Sequence, residues 1–552
     1  MLIYEGLAKA FAAEGVDAQF GLMGDGNMHW MAAMDGLPGM TTLSVRHEHC
    51  SVLMAIGYWS ATGKVGVCSV THGPGFTQVM TGLVTAARNN VPIVMLAGET
   101  SLGAAWALQG LDQAPLAKAC GAEYIQIHTP KLLHHKVREA FYIARTQKKP
   151  VVIGMPLDIQ KMPMPDIPPY RPSTEFLPPA GTLTPDPKAI AALAAKLANA
   201  DCPVLVAGRG AWRAQAAGEI ETLADETGAL LGTTLLGKGL YDHHPFSLGI
   251  VGGYARQASR DVAKKADLVI AFGAQLSRFT LDNGVMFPKA EIVQVDIAPN
   301  ALHEGLIAAH SMVTADARLA AVALRAEVKA QGRVSSSVRT QALARSLSEG
   351  PADPTPYAIP DKTLDPRRVF ETLESIIPKD YHLVSGSAHQ AYWHTAMRGS
   401  PPENYHAIRN FGAIGNAMSF AIGVATGRKD GKVILVEGDG GMLMHIQELE
   451  TLQRHGVKVL LICVNDGAFG AEIHKLRVEG IEDKNAVFGR PSFEGMAKAL
   501  GLNGATVTDL RQFEFLMREY EASDKAAIWD VHVSDQVMAP PMRDEVAELR
   551  KK

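Results

Sequence analysis

Short β-branched apolar runs alternate with helical patterns along almost the whole chain, and this alternation constrains the fold more than any other feature. VGVCSV (Val65–Val70) and PIVMLAG (Pro92–Gly98) flank FTQVMTGLVTAARNN, which has helical spacing. The arrangement recurs with PVLVAGRG, ADLVIAFG and EIVQVDI, and again with KVILVEGDG and VKVLLICVND. Strands that are apolar on both faces belong to parallel sheets covered by helices. The chain is therefore expected to be α/β, with doubly wound parallel sheets whose ligands sit beyond the carboxyl ends of the strands.

Two proline-rich stretches divide the sequence. The first, MPMPDIPPYRPSTEFLPPAGTLTPDP (162–187), lacks too many backbone donors for helix or central strand and is expected to run extended over a surface. The second (333–366) opens with a serine cluster and ends in PADPTPYAIPDKTLDP. They separate three blocks, expected as domains at residues 1–165, 185–332 and 362–540, and 552 residues suit that number.

Composition removes several function classes. Lys plus Arg number 53 against 57 Asp plus Glu, so there is no basic surplus for a nucleic acid backbone. Five scattered cysteines form no CxxC pair, which argues against a zinc site or a disulfide framework and for a reducing compartment. The first residues carry an acid where a signal peptide wants a basic segment, and no apolar run reaches about 18 residues. The expectation is a cytoplasmic protein without a membrane partner.

Three glycine turns stand out: Gly24-Asp-Gly26, Gly208-Arg-Gly210 and Gly438-Asp-Gly440. None carries the third glycine of a dinucleotide fingerprint, which disfavours an NAD-linked oxidoreductase. In the third block the order is strand, Gly438-Asp-Gly440, an amphipathic helix with Ile446, Leu449 and Leu452 on one face, a second strand, then Asn465-Asp466-Gly467. One crossover thus brings Asp439 and Asp466, 27 residues apart, to the same sheet edge. Paired carboxylates repel unless a cation neutralises them, and hard oxygen ligands beside a glycine turn describe Mg²⁺ clamping a diphosphate. The helix after Gly441 would aim its first N–H groups at the phosphates. The bland alternative is that Asp439 caps this helix and Asp466 sits in a turn.

The GDG turn, the helix, the apolar strand and Asn465-Asp-Gly-Ala-Phe-Gly470 resemble the thiamine diphosphate fingerprint of the acetolactate synthase, pyruvate decarboxylase and benzaldehyde lyase superfamily. The resemblance implies an N-terminal pyrimidine-binding domain, a central nucleotide-binding-like domain and a C-terminal diphosphate-binding domain. It implies a metal held by Asp439, Asp466 and the backbone carbonyl of Ala468, with the diphosphate against Gly438, Gly440, Gly441 and Met442. Asp466 departs from the usual asparagine, so the metal is expected to be retained with one more negative charge. Gly412-Ala-Ile414-Gly resembles the stretch that supports the bent cofactor, with Ile414 as the wedge between its rings and the Gly412 carbonyl accepting from its amino group; ordinary core is the alternative for Ile414. Ser387, His389 and Gln390, in VSGSAHQAYW, align with a diphosphate-contacting loop.

The first block carries VRHEHC, GYWSATGK and THGPG, which resemble the superfamily's RHEQ, GYARATGK and SGPG landmarks. By that resemblance Glu48 hydrogen-bonds the N1' atom of the aminopyrimidine, and so creates at the 4' position the base that removes the C2 proton. Its apolar sequence neighbours lead to the expectation of burial and a raised pKa; a salt bridge to Arg46 is the alternative. Asp25 and Asn27 in FGLMGDGN, with His29, His72 and Gln109, resemble positions that face the substrate, and structural hydrogen bonding remains open for each histidine.

In the middle block GAQLSRFTLDN stands where flavin-binding relatives carry a GxRFDDR-like stretch. The flavin site is therefore expected to be lost, leaving Gly208, Gly210 and Asp296 to line a vestigial pocket for FAD or ADP. The implied activity is attack on a 2-oxo acid carbonyl, loss of CO₂ and carboligation, as in acetolactate synthases. The alternatives are non-ligating decarboxylation or C–C lysis of the benzaldehyde lyase or oxalyl-CoA decarboxylase type, which Asp25 favours, and a non-catalytic nucleotide-binding relative, against which Glu48 stands. The implied partners are small 2-oxo acids or aldehydes and further copies of the chain, as a homodimer or a 222 homotetramer with sites shared between chains.

Overall fold

The computed structural model describes residues 1–179, 181–298, 309–332 and 336–543. They build three six-stranded sheets in which every strand pair is parallel. The first holds β1 (Ala18–Gly21), β2 (Thr41–Ser44), β3 (Gly66–Val70), β4 (Ile93–Glu99), β5 (Glu123–Gln126) and β6 (Pro150–Pro156), in the order β2-β1-β3-β4-β6-β5. The second holds β7 (Pro203–Ala207), β8 (Leu230–Thr233), β9 (Ser247–Ile250), β10 (Leu268–Phe272), β11 (Glu291–Asp296) and β12 (Ser311–Thr314). Its order, β9-β8-β7-β10-β11-β12, is the 3-2-1-4-5-6 winding of dinucleotide-binding sheets. The third holds β13 (His382–Ser385), β14 (Tyr405–Ala407), β15 (Val433–Gly438), β16 (Leu460–Asn465), β17 (Asn503–Val507) and β18 (Ala527–His532), and repeats the winding of the first as β14-β13-β15-β16-β18-β17. The expected α/β class with three doubly wound parallel sheets is thus observed.

The first and third sheets share one core, because helix Glu48–Thr62 of the first lies directly on helix Asn416–Arg428 of the third. Two glycines permit this approach. A Cβ at Gly57 would sit 2.0 Å from the Phe420 carbonyl oxygen, and one at Gly423 would sit 2.0 Å from that of Met54. Gly57→Ala or Gly423→Ala should therefore force the helices apart and destabilise the chain by about 1–3 kcal/mol. A urea midpoint unchanged by both substitutions would refute this packing.

The first proline-rich stretch runs mostly extended and is tied back to the body: Ser173 N–H donates to Glu14 (2.7 Å), and Tyr170 donates to the same buried carboxylate (2.5 Å). The second differs from the sequence reading, since a helix, Gln341–Glu349, forms within it; its opening residues 333–335 lie outside the described residues. Thr340 caps that helix by accepting from Leu343 N–H. No helix among the described residues is long and apolar enough to cross a membrane.

Candidate active site

The turns after β15 and β16 meet at one edge of the third sheet. Asp439 is 2% exposed and accepts two backbone hydrogen bonds, from Gly440 N–H at 2.8 Å and from Gly467 N–H at 2.8 Å. One carboxylate therefore ties both strand-end turns together, which a helix cap would not do. Asp466 accepts from Ala468 N–H (3.1 Å). Burial, above all, raises the pKa of both groups, and for Asp466 the neighbouring Asp439 charge raises it further. Neither carboxylate forms an ion pair with a described residue; Arg490, which moderates their charge, donates to the Asn465 and Val533 carbonyls. A buried and a half-buried acid side by side with no ion-paired cation fit a divalent metal, and bonds on both sides of Ala468 (Phe488 N–H to Gly467, Phe469 N–H to Ala486) leave its carbonyl available. Among the described residues no group of three or more His, Cys, Asp and Glu side chains is arranged to hold a metal, so a backbone oxygen has to complete the set.

A cavity of about 400 Å³ opens over this edge, walled entirely by residues between Pro366 and Ser534. Ser387, His389, Gln390, Gly412, Ile414, Gly438, Asp439, Gly440, Gly441, Asp466 and Ala468 all line it. Ile414 is half-buried on its wall, not in the core. Gly412 has φ +75°, a conformation open to glycine at little strain. The Ser387 hydroxyl is buried without a partner among the described residues. His389 accepts from Ala539 N–H at Nε2 (2.9 Å), which leaves Nδ1 as its protonated nitrogen, and burial lowers its pKa to about 3. The Met442 side chain is fully buried in the core shared with the first sheet, because the helix turns that face inward, so only its backbone is left to face the diphosphate. The helix itself is also shorter than expected, Asp439–Met444, and a second helix, Glu448–His455, follows after a break where the His445 ring bonds the Gly415 carbonyl (2.8 Å).

A second cluster forms at the carboxyl edge of the first sheet. Gly26 N–H donates to Thr71 Oγ1 (3.0 Å), which docks the Gly24–Asn27 loop on the Thr71–Gly75 turn. His72 is 6% exposed, with Nδ1 unpartnered among the described residues. Burial lowers its pKa, and the charges of Asp25 and Glu99 oppose that shift, so these acids share its surroundings. Glu48 opens helix Glu48–Thr62, and its Oε1 lies 3.5 Å from the Cβ position of Gly75. It is half-buried, less enclosed than its apolar sequence neighbours suggested, because those neighbours turn into the core while the first helical position faces the edge. The alternative pairing with Arg46 is also excluded, since Arg46 binds Glu450 instead (2.6 Å). Asp25 and His72 are thus neighbours, and Glu48 faces the Thr71–Gly75 turn that carries His72.

Three other candidates have contacts of their own. Asn27 is fully buried, donating to Ser69 (3.0 Å) and Leu22 (3.0 Å) and accepting from Gly24 (2.8 Å), so it braces the loop and does not face a substrate. His29 lies against the Tyr4 ring at 5.6 Å. Gln109 sits in a mostly exposed loop and touches Gly73 through its backbone, whereas Gln113, which the sequence reading passed over, accepts from Gly73 N–H (3.2 Å) and donates to the Gly98 carbonyl (2.9 Å). Glu437 was missed as well. It is 1% exposed on the cavity wall, and its signal was an acid at the end of an apolar strand directly before the GDG turn.

The middle sheet shows why two glycines flank Arg209 without calling on a ligand. A Cβ at Gly208 would meet the Gly273 oxygen at 2.3 Å, and one at Gly210 would meet the Gly273 Cα at 2.7 Å. The turns after β7 and β10 simply need that room.

Comparison with known proteins agrees with this geometry. Models of the thiamine pyrophosphate enzymes match in three pieces: the N-terminal TPP binding domain at residues 1–116, the central domain at 190–324 and the C-terminal TPP binding domain at 386–531. A probable acetolactate synthase large subunit of Methanocaldococcus jannaschii is 27% identical over 98% of this chain and 93% of that protein. The acetolactate synthase isozyme 2 large subunit of Escherichia coli is 27% identical over 96% and 95%, and the large subunit of Parasynechococcus marenigrum 29% identical over 96% and 86%. With all three domains matched in order, and a two-carboxylate diphosphate edge in the third, the chain belongs to the thiamine pyrophosphate enzymes.

Proposed function

We propose that the protein is an acetolactate synthase-like carboligase that decarboxylates a 2-oxo acid and joins the remaining fragment to a second carbonyl, with thiamine diphosphate and Mg²⁺ as cofactors. The observation that carries this reading is end-to-end similarity to acetolactate synthase large subunits together with a third-sheet edge that holds two neighbouring carboxylates without an ion-pair partner among the described residues. Thiamine diphosphate, when bound, supplies a nucleophilic carbon and an electron sink. Asp439, Asp466 and the Ala468 carbonyl hold the metal; Ser387, His389 and the Gly438–Gly441 turn receive the diphosphate; Gly412 and Ile414 support the rings. Glu48 would share a proton with a ring nitrogen of the bound cofactor, and Asp25 and His72 would handle protons on the substrate side. Incubation with pyruvate, Mg²⁺ and thiamine diphosphate should give acetolactate as the main product. Acetaldehyde alone would instead support the non-ligating reading that Asp25, beside His72, favours.

Glu48 does not line the cavity that Asp439 lines, and support for completion by a second copy comes from there. The loop beside Gly73 exposes Leu102, Trp106, Leu108 and Leu111, an apolar surface suited to burial in a dimer or a 222 tetramer. Glu48→Gln and Asp439→Ala proteins should each be inactive, yet their mixture after subunit exchange should regain roughly a quarter of wild-type activity, because half of randomly formed dimers are hybrids with one intact site. No recovery would mean that each site lies within one chain.

The seat proposed for a nucleotide, FAD or ADP, is a cavity of about 780 Å³ where all three domains meet, which carries Lys148, Arg209 and Arg213. Burial, then the Arg213 charge, lowers the Arg209 pKa to about 10, so an anion there would relieve like-charge repulsion. The visible spectrum of the purified protein distinguishes flavin from ADP or neither.

A further inference from the structure

A buried acid that the chemistry above leaves unused sits under the diphosphate edge. Glu437 lies on β15 beneath the Gly438 turn, and its Oε1 accepts from Gln390 Nε2 at 3.1 Å. The same amide nitrogen donates to the Ser387 carbonyl at 2.8 Å. Gln390 therefore clips the two ends of the Ser387–Gln390 turn together and anchors the clip on Glu437. The turn needs holding, because Ala388 within it has φ +96°, where a residue with a Cβ is strained. Arg409 holds the preceding residue from the other side, donating from Nε to the Gly386 carbonyl (2.8 Å).

The fit around the carboxylate is close on two sides. A Cβ at Gly386 would fall 2.4 Å from Oε2, and one at Gly441 would fall 2.6 Å from Oε1. One side chain thus touches both backbone segments that wall the cavity, the Ser387 loop and the turn after β15. Glu437 forms no ion pair among the described residues, and its Oε2 has no hydrogen-bond partner there. A buried acid left in this condition is unfavourable for stability, so stability alone does not account for its presence.

We propose that Glu437 is a positioning residue for cofactor binding: acting through Gln390, it fixes the Ser387–Gln390 turn in the conformation that receives the diphosphate. This rests on the thiamine diphosphate reading above. Glutamine at 437 keeps an acceptor for Gln390, whereas alanine removes it and opens a void.

Calorimetric titration of thiamine diphosphate into cofactor-free protein with saturating Mg²⁺ tests the proposal. Glu437→Gln should bind within about threefold of wild type, whereas Glu437→Ala and Gln390→Met should each bind about tenfold or more weakly. If the two residues act in series, the double variant should be no weaker than the weaker single variant by more than about threefold. Losses that multiply would overturn the proposal, and so would wild-type affinity in Gln390→Met, an outcome that can be read even where Glu437→Ala fails to fold. Hydrogen exchange in cofactor-free Gln390→Met should also rise at residues 386–390 while the strands stay protected; unchanged exchange there would count against it. Wild-type protein that binds no thiamine diphosphate would refute the functional reading itself, a result distinct from all of these.

Discussion

Replacing Asp439 with alanine should abolish Mg²⁺-dependent binding of thiamine diphosphate. Asp439 does two things at once: it is the expected metal ligand, and it ties the turns after β15 and β16 through the N–H groups of Gly440 and Gly467. Outer-sphere partners of metal ligands are worth about 10- to 100-fold in affinity, so removal of a ligand that also sets the turn geometry should exceed about 100-fold. Asp466→Asn should behave differently. An amide oxygen is still a hard donor, and the substitution removes one of two mutually repelling charges, so cofactor binding should be largely kept. Titrations of both variants with thiamine diphosphate at fixed Mg²⁺ separate the two expectations, and tight binding by the Asp439→Ala protein would remove the metal assignment.

Much of this arrangement was readable from local pattern. Parallel strands buried on both faces leave continuous apolar runs, and the residues that follow them are forced to the sheet edge, so Asp439 and Asp466 could be paired from spacing alone. What could not be read was decided by contacts far apart in sequence. Whether Asn27 or Asp25 faces outward depends on Ser69, more than 40 residues away. The resemblance could not tell which part of Met442 meets the diphosphate, and the helix phase sends its side chain into a core that the first and third sheets hold in common. Glu48 illustrates the same limit: its neighbours Cys50, Val52, Leu53 and Met54 are buried against helix Asn416–Arg428, while its own carboxylate emerges beside Gly75. Gln113 and Glu437 were overlooked because their value lies in bonds to distant backbone or side chains.

The largest catalytic effect is expected at Glu48. Its pairing with Arg46 is ruled out by the Arg46–Glu450 contact, and the carboxylate faces the Thr71–Gly75 turn, whose His72 is buried with Nδ1 unpartnered among the described residues. Glu48→Gln preserves shape and hydrogen-bonding reach but cannot share a proton with a ring nitrogen. Loss of one general acid-base group predicts a fall of about 10² to 10⁴ in cofactor activation, with cofactor affinity much less affected. Asp25→Asn and His72→Gln, at positions proposed to serve the substrate, should leave activation nearly intact and lower turnover instead.

The account's central claim, that Glu48 activates a thiamine diphosphate held at the Asp439 edge, is tested most directly by the exchange rate of the cofactor's C2 proton. Quenched-flow NMR of the bound cofactor in the absence of substrate isolates this step from binding and from the later chemistry. Exchange should be fast in the wild-type protein and slower by about 10² or more in Glu48→Gln at full cofactor occupancy. Equal exchange rates in the two proteins would contradict the claim.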